Sequence, residues 1–304
     1  MVLAMVSAGC TEDDQNEASR GASSQVVDLT MPDGEARGID SSDSLDSLAG
    51  NVDPSAGPQA PILVPEFGRA LERQIIVHAR RSDGLSHPRD LSFDPQAPEN
   101  LWIVDRDFDG NVVLFDAGSA NQRAERLRDM AASHFMEEVS SIAFGGQGHF
   151  STCQESQNSM DGFGFPDDFM GPVLWSSDLM VHCNVNQEEG GPLNGSHLDM
   201  LHQSPLCMGV THHEENAFFV TDGANGHVVR YDFKQPHVPG GDDHSDGEVS
   251  RYPELSFTRV PDIPGHLALF GEMLYYADTG AGAIRVANMA TGVVSRRLVA
   301  ENEP

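Results

Sequence analysis

Residues 105–116 read DRDFDGNVVLFD, with Asp105, Asp107 and Asp109 at alternate positions before Gly110, and Asp116 closing the series. Three carboxylates on so short a loop repel one another unless water or a hard cation lies between them, and Ca2+ takes six to eight oxygen ligands. The spacing therefore makes Asp105, Asp107, Asp109 and Asp116 candidate calcium ligands. The apolar runs on either side, LWIV and VVLF, are strand-like where an EF-hand has helices. The same residues thus also fit a solvated hairpin turn.

The second concentration of chemistry is imidazole. The chain holds 13 His, and two stretches pair them with carboxylates: SHLDMLHQSPLCM at 196–208 and GGDDHSDG at 240–247. Neutral imidazoles that converge from several elements suit Zn2+, Cu2+ or Fe2+. His87, His202, His213, His244 and His266 are the candidate transition-metal ligands on this count. The competing reading makes each an ordinary surface or hydrogen-bonded His, and DDHSDG a run of turn formers. Cys207 beside Met208 is a soft donor pair for copper, with a disulfide as the alternative. No Gly-x-Ser-x-Gly, Walker loop or His-Glu-x-x-His is present, so nucleophilic signatures are lacking.

The elements that must position these groups repeat. Residues 88–116, 207–232 and 264–288 share one pattern: an apolar strand, a polar turn, a strand ending in Asp, a Gly-containing turn and an alternating strand. The Asps are Asp105, Asp222 and Asp278, and the Glys that follow are Gly110, Gly226 and Gly282. Residues 139–156 are a weaker copy, and residues 71–80 supply part of a further one. Meanders repeating at about 55 residues are too thin to bury their own faces and stack as propeller blades. In that frame the shared Asp is first a turn residue, bonding backbone N–H groups. Ligands of a propeller sit where the inner strands begin, which nominates Arg89, Asp90, Met208 and, on a flanking loop, Asp243. Residues 157–200 read as an insertion whose apolar residues form a lid.

These residues resemble the NHL-repeat family of β-propellers over about residues 65–300. The resemblance implies an all-β propeller, with four blades clear here where six are usual, so that either the chain is truncated from six or the ring closes with fewer. A weaker similarity is to the lyase domain of peptidylglycine α-amidating enzymes. That similarity implies zinc held by three His from the inner ends of different blades, with calcium in the channel. His87 and His266 are the His of this chain most like them, although Arg89 and Gly265 stand where such a His usually does.

Composition sets the surroundings. Apolar residues are 39%, below the roughly 45–50% of a packed globule, and the deficit lies in the acidic stretch 11–61, read as a disordered linker. The folded unit is expected at 62–304. A net charge of −29 argues against nucleic acid, whose phosphates require Lys and Arg. No apolar run reaches the ~20 residues that span a bilayer. MVLAMVSAGC at 1–10 resembles the end of a bacterial lipoprotein signal, which implies lipidation of Cys10 and a membrane contact through that anchor alone. Thr11 after the Cys points to the outer membrane of a bacterial envelope, with secretion as the alternative. An exported chain tends to pair its thiols, and Cys183–Cys207 or Cys153–Cys183 are the expected bridges.

The expected function is binding of a small-molecule or protein ligand at one propeller face, assisted by Ca2+, Zn2+ or Cu2+. The alternative is a metal-dependent lyase or hydrolase.

Overall fold

A computed structural model describes residues 76–158 and 168–291 and the backbone of 296–299. Cys10 and the linker 11–61 lie outside the described residues, as do 71–75 of the expected extra copy; residues 76–80 form no strand. Among the described residues the regular structure is β-strand with short 3-10 turns.

Four antiparallel sheets make a four-bladed β-propeller. Blade 1 is β1 (Pro88–Asp94), β2 (Ala97–Asp105), β3 (Gly110–Phe115) and β4 (Arg123–Leu127), paired in chain order. Blade 2 is β5 (Val139–Phe144), β6 (His149–Gln154), β7 (Val173–Ser176) and β8 (Asp199–Met200). Blade 3 runs β9 (Val210–Glu214), β10 (Ala217–Asp222), β11 (His227–Asp232) and β12 (Glu248–Ser256). Blade 4 has β13 (Leu267–Phe270), β14 (Met273–Asp278) and β15 (Ala283–Asn288). The last strand, β16 (Arg296–Val299), does not finish blade 4. It pairs with β12, Glu248 opposite Val299, as a fifth strand of blade 3.

Period-two alternation explains the packing, because successive side chains serve opposite faces. On β3, Val113 and Phe115 face blade 2, while Val112 and Leu114 face the segment holding Ala79 and Leu85. On β10, Phe218 and Val220 pack towards blade 2 and Phe219 towards blade 4. Trp102, 1% exposed, lies against Phe144 and Phe150 at the first junction. Each such side chain contributes about 1.5–3 kcal/mol by burial, and the three larger clusters of them lie at blade junctions.

The stretch 157–200 departs from its expected role. Its described part supplies β7 and β8, the outer half of blade 2, and Val173, Leu174 and Trp175 are fully buried. The run VLW is apolar on both faces because both neighbouring cores use it.

The disulfide also differs from both expectations. Cys153 on β6 is bonded to Cys207 ahead of β9, with Cα atoms 5.7 Å apart, and Cys183 is free. Both bonded residues are buried in the core between blades 2 and 3. Cys183 lies in the segment leading to β8, where its N–H donates to Ser196 Oγ at 2.9 Å. Cys207 is therefore not a copper ligand in this fold.

Candidate functional site

The inner strands begin where the repeat placed them, and they surround a hollow of about 380 Å³ on the propeller axis. Phe93, Ile142, Phe144, Val210 and Leu267 give it apolar walls; Asp90, Ser92, Thr211, His212 and His266 give it polar points. Close approach is possible because Gly209 meets Gly265. A Cβ on Gly209 would lie 2.7 Å from the Gly265 carbonyl oxygen, closer than any side chain is tolerated.

Asp90 is the acid of the hollow. Its Oδ2 accepts the Ile142 N–H at 3.0 Å and its Oδ1 the Leu91 N–H at 2.8 Å. His266 Nδ1 stands 3.7 Å from Oδ2, an ion-pair distance and not a hydrogen bond. Burial raises the Asp90 pKa, against the opposing pull of His266. His212 donates from Nε2 to the Glu215 carbonyl at 3.0 Å.

Arg89, one residue earlier, leaves the hollow. The β1–β2 register slips between Pro88 and Asp90, as the β5–β6 register does between Val139 and Ser141. The bulged residues, Arg89 and Ser140, are thereby re-aimed. Arg89 reaches Glu155 at 3.3 Å and the Asp262 carbonyl at 3.0 Å, and Ser140 Oγ donates to the Cys207 carbonyl at 2.6 Å. Met208 is buried at 3% exposure and its N–H donates to Thr221. Asp243 lies on the exposed β11–β12 loop, bonded to Ser245. Of the four nominated ligand-binding residues, the structure thus puts Asp90 at the hollow.

The aspartate series is divided among separate partners. Asp105, 0% exposed, accepts the N–H groups of Ser86 (2.6 Å), His87 (3.1 Å) and Asp107 (3.3 Å). Asp222 and Asp278 repeat the device, accepting from Asn225 N–H and from Thr258 and Ala281 N–H. Asp107 turns to His87, and Asp109, with φ 55°, to Arg128 at 3.0 Å. Asp116 stands at the far end of β3 from Asp109, roughly 20 Å away along a six-residue strand. The hairpin reading accounts for these contacts, and no single cation reaches all four carboxylates.

The five nominated His scatter. His87 is on Asp107, His213 accepts from Arg230 Nε at 3.0 Å, and His266 is at the hollow. A zinc triad at the channel mouth does not fit the residues present: the His lining the hollow are His212 and His266. His202 and His244 do approach each other, with ring centroids 6.4 Å apart. They do so at the outer edge of blades 2 and 3, where one ring nitrogen from each of His197, His237 and His244 lies within 4.8 Å of the others. His237 stands isolated in KQPHVPG and carries no motif; His197 lies in the donor-rich stretch 196–208.

A four-bladed β-propeller with a half-apolar axial hollow is the class defined by this geometry. No family model matches the sequence, and no curated protein matches it. Among solved structures, the chain is similar to an auxiliary nutrient binding protein from Bacteroides thetaiotaomicron (15% identity, TM-score 0.46, 71% of this chain and 42% of that one). It is also similar to YCF48 from Cyanidioschyzon merolae (12%, 0.39, 68% and 52%). A third is a catalytically inactive virginiamycin B lyase from Staphylococcus aureus with quinupristin (12%, 0.36, 71% and 55%). The chain spans about half the length of these structures.

Proposed function

We propose that the chain is an NHL-like propeller that binds a small ligand in its axial hollow, held at a bacterial envelope through lipidated Cys10. The observation that carries the binding reading is the convergence of β1, β5, β9 and β13 on one concave site with apolar walls and few polar points, the usual make-up of a ligand pocket. Asp90 sets the chemistry: a partly desolvated carboxylate between apolar walls favours a ligand with a flat apolar body and one amine or hydroxyl donor. The lyase reading has less support, because its three channel-mouth imidazoles are two here, and His212 is spent on a backbone carbonyl.

The test is a thermal-shift and NMR titration with a panel of small aromatic amines and alcohols. Saturation at a hundred times Kd adds about 2.7 kcal/mol to stability, an easily read rise in Tm. Asp90→Asn should abolish the rise for amines, and amide shifts should fall on β1, β5, β9 and β13. Shifts confined to other surfaces would remove the reading.

A further inference from the structure

We propose that His197, His237 and His244 form a binding site for one transition-metal ion of the Zn2+ class, which staples the outer edge of blade 2 to that of blade 3. This site lies on the segment just ahead of β8 and on the β11–β12 loop, apart from the axial hollow, and does not depend on the ligand-binding reading.

The geometry is that of a prepared ligand set. One nitrogen from each ring lies within 4.8 Å of the other two, which suits metal–nitrogen bonds of about 2.0–2.1 Å to a common centre. In each ring Nδ1 is already engaged. His197 Nδ1 donates to the Asn194 carbonyl at 2.8 Å and His237 Nδ1 to the Val238 carbonyl at 2.6 Å. His244 Nδ1 is 2.7 Å from Asp199 Oδ1, both side chains being fully buried. The Met200 N–H also points at that Nδ1, at 3.3 Å. The two contacts demand opposite tautomers, and the shorter, charge-assisted one decides for a proton on Nδ1. Nε2 is therefore the metal-facing atom throughout. A ligating His whose other nitrogen donates to a carbonyl or carboxylate is the normal second layer of a metal site.

The orphaned atoms point the same way. Nε2 of His197 is buried with no hydrogen-bond partner, and so is Nε2 of His237. His197 is 0% exposed. Leaving a buried polar atom unmet is costly, and one cation would satisfy both. Burial holds His197 far below the ordinary imidazole value, at about 3, and lowers His237 as well. His197 and His237 are thus neutral at pH 7, the state in which imidazole ligates.

The two segments are already woven together. The His237 N–H donates to the Leu198 carbonyl and the Gly240 N–H to the His197 carbonyl, at 3.0 and 2.8 Å. Little ordering entropy remains to oppose binding. Three nitrogen donors select Zn2+, Co2+ or Cu2+ over Ca2+ and Mg2+, and the fourth position is left to water on the half-buried His237 side.

The experiment uses the full chain without a histidine tag, stripped with a chelator, and titrated with Co2+ by visible absorption and with Zn2+ by calorimetry. One equivalent should bind, with the intense absorption of tetrahedral Co2+ displaced by Zn2+, and Tm should rise. His237→Gln should abolish uptake while the urea midpoint of the metal-free protein stays unchanged, since that side chain is partly exposed. Asp199→Asn should weaken binding 10–100-fold. Absence of one-to-one uptake, uptake retained in H237Q, or an unchanged affinity in D199N overturns the proposal.

Discussion

Arg89 and Glu155 meet at 3.3 Å with side-chain exposures of 15% and 2%, and Arg259 reaches the same carboxylate. Glu155 follows β6, Arg89 is on β1 and Arg259 precedes β13, so one carboxylate joins blades 1, 2 and 4. Asp262 adds to the clasp: its N–H donates to Glu155 at 2.9 Å and its carboxylate meets Arg106. The three apolar junctions lie between consecutive blades. The described contact between blade 4 and blade 1 is, by contrast, largely ionic.

Glu155→Ala should therefore cost about 3–5 kcal/mol, because it strands two arginines in a low-dielectric site. Deleting the exposed pair Arg123–Glu125, with exposures of 59% and 51%, should cost at most about 1 kcal/mol. Urea unfolding of the two variants makes the comparison, and equal losses would show that the clasp is solvated.

The repeated Asp separates a structural role from a calcium role. Asp105→Asn should destabilise by about 1.5–3 kcal/mol, the worth of hydrogen bonds to a charged group. Asp107→Asn should stay within about 0.5 kcal/mol. The check is thermal unfolding with and without Ca2+; a large calcium-dependent loss at Asp107 would restore the metal reading of the hairpin.

Peptide mapping under non-reducing conditions should recover Cys153 linked to Cys207, with Cys183 free to alkylate after unfolding. The bridge closes a separation of 54 residues, for which chain entropy predicts about 4 kcal/mol of stabilisation. A double Cys→Ser variant should lose about 2–4 kcal/mol in urea titration. A Cys183-containing bridge would contradict the packing of blades 2 and 3.

Stability should fall on acidification between the ordinary His value and about pH 4. His182 sits among Trp102, Phe150 and Trp175, and its Nε2 accepts from Asn111 Nδ2 at 3.0 Å. Burial lowers its pKa to about 4, and that of His134 likewise. The unfolded chain binds protons first as pH drops below about 6.5, so folding weakens through that window by up to about 1.4 kcal/mol per pH unit for each group. His182→Gln should flatten the slope of the urea midpoint against pH; an unchanged slope would assign it to other groups.

The blade pattern was legible because it is local. Alternation, the strand-ending Asp and the turn Gly mark each hairpin without long-range information, and Asp105, Asp222 and Asp278 all perform the expected backbone bonding. Bulges were not legible. Nothing in PRD or VSS announces that Arg89 and Ser140 will be turned out of register, so Arg89 read as lining the hollow. The His cluster was legible by half: His244 and His202 lay in stretches dense with donors, but His237 joins them only because the β11–β12 loop folds back on residues 194–198. The Cys153–Cys207 pairing likewise depends on which blade stacks on which, a fact that spacing along the chain does not contain.

The return of β16 to β12 reverses the usual relation between chain order and assembly order. About 40 residues separate the two strands, and closing a loop of that length carries an entropic cost that local hairpins avoid. Blade 4 lies inside that loop, and folding it first would shorten the span that β16 has to close. Until then, β12 presents an unsatisfied row of amides and carbonyls, the template on which a second nascent chain could add a strand. In the finished propeller β16 covers that row, so the last described strand doubles as the cap of an otherwise open edge.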